Sequence, residues 1–328
     1  MRFCLKARAA SRKNVQGKIA SERRMRFRKI ASAVVCFGLA VFSLTAGICE
    51  FSKSNDFFHN LTLRAEGDGF DSEWLKSELE FSEETEDVEE EENFSFAAWT
   101  ELKNESVLVE WNGKSCESDV IAVYGSSHCL FPVGKNLSVW DTDGCIIGEG
   151  LAETLFADRQ AEGQNLVWRG RDWVVRGVVK EPADLLIVQA AGIAQELSFD
   201  RISIALPKNG EGTSLTGMNG GIQETDRQLT GEAFMNRYGL SARVLRWDYL
   251  TGFSWLKELI PGKWSDFDGW KQNLDQYKKA RELLKSTEKS AVETAGLNAR
   301  NKGQIFLFLG AVLCAAGGCV CVKKRVFH

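Results

Sequence analysis

Hydrophobic positions along this chain follow three rhythms. Two stretches, Ile30–Cys49 and Ile305–Val322, are apolar without a break and carry no charge. At a rise of about 1.5 Å per residue the first reaches roughly 30 Å and the second about 27 Å, so both are predicted transmembrane helices. Between them the rhythm is mainly that of strands. Ser106–Trp111 closes at Asn112-Gly113, and Val120–Tyr124 closes at Gly125. Leu137–Trp140 and Cys145–Ile147 flank Asp141-Thr142-Asp143-Gly144, which predicts a hairpin. Glu149–Phe156 reads as a short helix with Leu151, Ala152, Leu155 and Phe156 on one face. Leu166–Trp168 and Trp173–Val179 are predicted to pair across Arg169–Asp172, with Pro182 ending the second strand. Arg201–Leu206, a helix around Gly231–Tyr238 and Ala242–Tyr249 complete a strand–helix–strand unit, and Lys208–Gln223 is a glycine-rich loop. The fold class is α+β. A third rhythm of three-and-four spacing runs through Phe267, Trp270, Leu274, Tyr277, Arg281, Leu284, Glu288, Ala291 and Ala295. It predicts one stalk helix from about Trp264 to Ala295, interrupted by Gly296 and Gly303 before the membrane.

Charge orders these segments. Residues 1–29 carry eleven Lys/Arg and one Glu, and residues 323–328 carry three more Lys/Arg, which leaves 27 basic and 44 acidic residues between 50 and 304. Positive flanks stay cytoplasmic, so both termini are predicted inside and residues 50–304 outside, at the cell membrane. The first apolar run exceeds the 7–15 residues of a cleavable signal, although Leu44-Thr45-Ala46-Gly47 offers a weak cleavage site. A signal anchor is the expectation. Basic residues beside apolar stretches point to lipid and away from nucleic acid. The expected organisation is a basic tail (1–29), a span (30–49), a helical and acidic linker (50–93), an α+β domain (94–260), a stalk helix (261–304), a span (305–322) and a basic tail (323–328). Within the linker, Glu83–Asn93 lacks apolar pattern and reads as solvated. Small residues at four-residue spacing, Ser32, Cys36 and Ala40 in one span and Gly310, Cys314 and Gly318 in the other, are candidate helix-packing positions.

One stretch carries a family pattern. Ile146–Phe156 contains Glu149, Leu151, Ala152, Leu155 and Phe156, followed by Gly163-Gln164-Asn165-Leu166, Gly170 and the strand with Val175, Gly177 and Val178. This resembles the signature of the MacB-type periplasmic core domain. The resemblance implies an ABC-transporter permease-like or accessory protein whose outer domain works with a cytoplasmic ATPase. The departures are the lack of later spans and of the G-x-x-x-x-G-K-[ST] phosphate loop. It therefore implies partners: a separate ATP-binding cassette subunit, a multi-span permease, or both.

Catalytic, cofactor and metal sites find little support. The histidines are His59, His128 and His328, too few for a multi-histidine metal site. Ser126-Ser127-His128 lacks the spacing of a nucleophile elbow. Asp141, Asp143 and Glu149 lack the spacing of a calcium loop, and a turn is the expected use. Cys36, Cys314, Cys319 and Cys321 sit in the spans, Cys4 is cytoplasmic and Cys49 lies at the membrane edge, while Cys116, Cys129 and Cys145 are read as one disulfide or as buried thiols. Asn60, Asn93, Asn104 and Asn136 begin N-x-[ST] acceptors. The residues favour a non-catalytic membrane-anchored transporter subunit. The alternative is an extracytoplasmic sensor or ligand-binding module; oligomeric state is left open.

Overall fold

The computed structural model describes residues 31–32, 34–58, 60–71, 73–78, 94–130, 136–180, 183–206, 224–250 and 267–322. The basic tails, His59, His328, the acidic run Glu83–Asn93, Pro182, the loop Lys208–Gln223 and the predicted stalk start at Trp264 lie outside the described residues. The chain divides into two units, Lys53–Asn298 and the combination of Met1–Ser52 with Ala299–His328.

The larger unit is built on nine strands: β1 (Leu61–Ala65), β2 (Phe96–Val109), β3 (Lys114–Gly125), β4 (Gly144–Gly148), β5 (Asn165–Trp168), β6 (Arg171–Val179), β7 (Leu185–Gln189), β8 (Arg201–Ile204) and β9 (Ala242–Val244). Their order is β3-β7-β4-β6-β5-β2-β8-β1-β9, and β3 also pairs with β2. The six strands β2, β3, β7, β4, β6 and β5 thus close into a ring, and β8, β1 and β9 extend from β2 as a wing. The β3–β7 and β4–β6 pairs are parallel and the others antiparallel. With helices beside a mixed sheet, the class is α+β.

Alternation sorts the core into two layers, because successive strand side chains point to opposite faces. Val120, Ala122, Cys145, Ile147, Val175, Leu186 and Val188 join one apolar cluster with Trp168 and Trp173. Ile121, Val123, Ile146, Leu185 and Ile187 join another with Trp99 and Val292. Trp168 and Trp173 are each 1% exposed; burying rings of that size stabilises by roughly 4–6 kcal/mol apiece before entropic costs. The hairpin expected of these strands forms, but its turn is the two residues Arg169 (φ 51) and Gly170 (φ 72), a left-handed pair as in a type I′ turn, and Arg171 and Asp172 belong to β6.

Helix α1 (Val34–Phe57) is long and apolar enough to cross a membrane, with mean hydropathy 2.0. Helix α2 is Glu149–Phe156, α3 is Glu224–Tyr238, α4 is Phe267–Ser286 and α5 is Ala291–Val322. The second predicted span lies inside α5.

Several expectations need correction. Leu137–Trp140 is not a strand. Leu137 instead gives its N–H to Ser127 Oγ at 2.7 Å, and β4 pairs with β6 and β7. Ala242–Tyr249 is strand only to Val244, and Trp247–Leu250 winds into a 3-10 turn. The segment predicted as linker supplies β1, which pairs with β8 and β9 inside the sheet. The predicted single stalk is two helices, because the chain breaks at residues 287–290 where side chains cap a new helix. Gly296 and Gly303 do not interrupt α5. A β-carbon at Gly296 would lie 2.8 Å from Phe57 Cβ, and one at Gly303 would lie 2.7 Å from Phe51 Cδ2, so each glycine admits an aromatic neighbour.

Candidate functional site

The signature stretch folds as one strand–helix–hairpin unit. Glu149 opens α2, whose Leu151, Ala152 and Leu155 are buried under the ring while Phe156 is half-buried. Gly163 adopts φ 82 and gives its N–H to Val175 O at 2.8 Å, a conformation glycine takes at little cost. Val175, Gly177 and Val178 pair with Cys145, Ile146 and Ile147, and the register slips at Arg176. This extra residue serves a purpose: Arg176 donates to both carboxylate oxygens of Asp141 at 2.9 Å and to Asp143 at 3.0 Å. The acidic turn therefore holds a guanidinium, and Arg176 pulls the Asp141 carboxyl below its usual range. Ser127 is committed to Leu137 and His128 faces Asn136 at 3.3 Å, so neither is set up as a nucleophile–base pair. Among the described residues no group of three or more His, Cys, Asp or Glu is placed to hold a metal ion. Cys116, Cys129 and Cys145 are free thiols.

In the smaller unit, the antiparallel meeting of α1 and α5 is set by small residues, among them Ala40 and Gly310 of the predicted stripes. Ala40, Ser43 and Gly47 are buried on one side, and Gly303, Gly310 and Gly317, seven apart, on the other. Ser43 Oγ donates to Phe306 O at 2.7 Å. A β-carbon at Gly310 would lie 2.7 Å from Leu44 Cγ and 3.3 Å from Ala40 O. Cys36 and Cys314 are half-buried, Ser32 is exposed, and Gly318 faces open space. Seven-residue spacing is that of a shallow left-handed crossing; a four-residue stripe suits the steeper right-handed one.

The least ordinary chemistry lies in the larger unit, where α5 begins. Strand pairing places Trp99 (β2), Arg201 (β8), Arg64 (β1) and Arg243 (β9) opposite one another in one row across the wing. Three neighbouring guanidinium groups repel unless anionic or carbonyl partners meet them. Residues 287–293 supply these partners. Glu288 O accepts from Arg201 Nη2 at 3.0 Å and from Arg64 Nη1 at 3.3 Å, and Thr287 Oγ1 accepts from Arg243 Nη2 at 3.1 Å. Ser290 and Glu293 form a reciprocal cap: Ser290 N–H donates to Glu293 Oε2 at 2.8 Å, and Glu293 N–H donates to Ser290 Oγ at 3.1 Å. From the sheet, Glu101 Oε1 accepts the Ala291 N–H at 2.6 Å. Two carboxylates thus meet the positive end of α5.

Arg201 is the centre of this cluster. Its side chain is 4% exposed, lies 3.2 Å from Asp200 Oδ2 and 3.8 Å from Glu293 Oε1, and stacks 4.8 Å over the Trp99 ring. Trp99 Nε1 is held by Ser203 Oγ at 2.9 Å, and Trp247 Nε1 donates to Glu293 Oε1 at 3.2 Å. Burial pushes the Glu293 carboxyl up, against the pull of Arg201 and its donors, and pushes Glu101 up in the same way. At the exposed rim, Lys103 Nζ sits 2.7 Å from Glu288 Oε1 and holds that carboxyl below its usual range. Of these residues the sequence pattern marks only Glu288 and Ala291, as positions on the stalk stripe, and none as a site. The spacing Ser290-x-x-Glu293 before an apolar run is a readable cap signal, whereas the arginine row arises from pairing of three strands distant in the chain.

No family model matches this chain, and no curated protein matches it. Solved structures are similar to it, among them these two. One is the periplasmic region of MacB from Actinobacillus actinomycetemcomitans, with 13% identity and TM-score 0.41, over 63% of this chain and 96% of that one. The other is the extracellular domain of the noncanonic ABC-type transporter YknZ from Gram-positive bacteria, with 12% identity and TM-score 0.38, over 57% and 100%.

Proposed function

We propose that this chain is a non-catalytic, membrane-anchored subunit of ABC-transporter type. Its ring-and-wing unit faces away from the cytoplasm, between two spans, and works with a separate ATP-hydrolysing subunit and permease. The observation that carries this reading is the joint at residues 287–293. It fastens the first turn of α5 to β1, β2, β8 and β9, and the second apolar run, Ile305–Val322, lies further along the same helix. In a subunit whose folded unit lies between two spans, the helix that opens on that unit leads along the chain into the second span. The signature stretch supports the same reading, because Glu149–Phe156 and Leu166–Val179 form the strand–helix–hairpin that the family resemblance implies.

The test is purification of the full chain from its host in mild detergent, with bound proteins identified by mass spectrometry. The expected result is recovery of an ATP-binding cassette subunit in fixed ratio, lost when Arg201→Met weakens the joint. Recovery of the chain alone, with ATPase genes absent from its neighbourhood, would overturn this reading and favour the sensor.

A further inference from the structure

The bend between α4 and α5 is made by the sheet more than by the residues at the bend. Thr287, Glu288, Lys289 and Ser290 include neither glycine nor proline, and each costs a helix only about threefold or less relative to alanine. The reciprocal cap of Ser290 and Glu293 favours a new start by roughly fivefold. Against these stand the backbone bonds of an unbroken helix, in which Glu288 O would accept the Val292 N–H and the Ala291 N–H would reach Thr287 O. The sheet offers substitutes: Glu288 O accepts from Arg201 and Arg64, and the Ala291 N–H goes to Glu101. Bent and straight forms therefore satisfy the same backbone groups with different partners. The bend also decides which faces meet. Leu284 and Leu297 join one apolar cluster with Leu245 and Trp247. Along a straight helix they would lie about 20 Å apart and roughly 220° round the axis, on opposite sides. The two arms are held unequally. Helix α4 buries only Tyr277 and Leu284 of its 20 residues, with Tyr277 Oη donating to Tyr249 O at 3.4 Å. The first turns of α5 bury Val292, Glu293 and Leu297, and a β-carbon at Gly296 would meet Phe57 and Phe58. If the two helices align, α4 is the one that moves.

We infer that residues 287–290 are a helix switch: in the bent form the arginine row holds the break, and in the straight form α4 runs on into α5 as one helix and leaves Trp247–Leu250. The switch lies within the larger unit and holds whatever its partners are. The three-and-four stripe fits the straight form, because it passes through Leu284, Glu288, Ala291 and Ala295 without changing step. Straightening leaves the sheet's own ion pairs in place. Arg64 and Arg201 keep Asp200, at 3.8 and 3.2 Å, and Arg201 keeps the Trp99 ring. One form thus rests on the local pattern and the other on partners from distant strands, and the distant partners decide between them. The straight form is the longer one, so tension along the element favours it.

Electron-spin distance measurements on the full chain in detergent read the switch, with spin labels carried by a non-canonical amino acid in place of the exposed Lys271 and Asn298. One continuous helix would separate these positions by about 40 Å, and the bent form gives a shorter distance. Thr287→Ala/Ser290→Ala removes the acceptor of Arg243 and the cap hydroxyl and supplies two strong helix formers. The ratio of long to short distances should rise at least about tenfold over wild type. Adding Arg64→Gln/Arg243→Gln should raise it further. Lys289→Pro, which removes a helix N–H and disfavours helix at Glu288, should abolish the long population in either variant. Absence of the long population from both variants would overturn the inference, as would a long population that survives Lys289→Pro. Should the arginine variant fail to fold, Thr287→Ala/Ser290→Ala decides alone, since both positions lie outside the sheet. These outcomes are independent of whether a transporter partner is recovered.

Discussion

Arg201→Met is the sharpest perturbation this structure offers. The methionine keeps apolar contact with Trp99 and removes only the charge and its donors. Three interactions vanish: the donation to Glu288 O at 3.0 Å, the contact with Asp200 at 3.2 Å and the stacking at 4.8 Å over Trp99. Glu293, 5% exposed, then has no guanidinium beside it. Removing one partner of a buried pair costs about 3–5 kcal/mol, mostly through the charge left behind. In a unit of this size each kcal/mol moves the melting midpoint by roughly 2–4 °C, so a fall on the order of 10 °C is expected at neutral pH. The assay is thermal unfolding of the full chain in detergent, followed by tryptophan fluorescence. Arg201→Met/Glu293→Gln supplies the control: if the cost is an orphaned carboxylate, neutralising it should restore about half or more of the loss, a coupling of roughly 2 kcal/mol. A single variant within about 1 kcal/mol of wild type would refute the central role of Arg201, and strict additivity would refute the orphaned-charge account.

Three further outcomes are expected. Asp141, held by Arg176, has a depressed carboxyl, so its contribution is present above the ordinary value of 3.8 and is lost as pH falls through the lower folded value; Asp141→Asn should remove that part of the acid-induced loss in a pH series of melting curves. Gly310→Ile should strip hydrogen-exchange protection from the Ala40–Gly47 stretch, since even its β-carbon would lie 2.7 Å from Leu44 Cγ, whereas Gly318→Ala, with nothing near it, should leave protection unchanged. Cys129 and Cys145, buried and with thiols pushed up by desolvation, should resist alkylation by iodoacetamide at pH 8 until the protein is denatured; rapid labelling of the native chain would contradict their placement.

What the sequence determined by itself is whatever depends on neighbours in the chain. The charge-free run that became α1 is apolar at every turn. Helix α2 shows its face through Leu151, Ala152 and Leu155, and the stretch Arg169–Asp172 marks where β5 turns back to pair with β6, although the turn itself is only Arg169-Gly170. Local periodicity and turn chemistry suffice for such elements. Strand β7 was hidden by its own position: Leu185–Gln189 is covered on both faces, so it reads as an unbroken apolar run without alternation. The Asp141–Gly144 turn was legible as a turn, but its use was not, because Arg176, 33 residues beyond Asp143, reaches it only through the β4–β6 register slip. The stalk shows the limit most clearly. Its three-and-four spacing continues through Glu288, yet the helix stops at Ser286, since Arg64, Arg201 and Arg243 claim the backbone and side chains of residues 287 and 288. The Ser290–Glu293 cap is local and could have been read. The arginine row that makes the break worthwhile belongs to three strands far apart in the chain, and only their pairing brings it into existence.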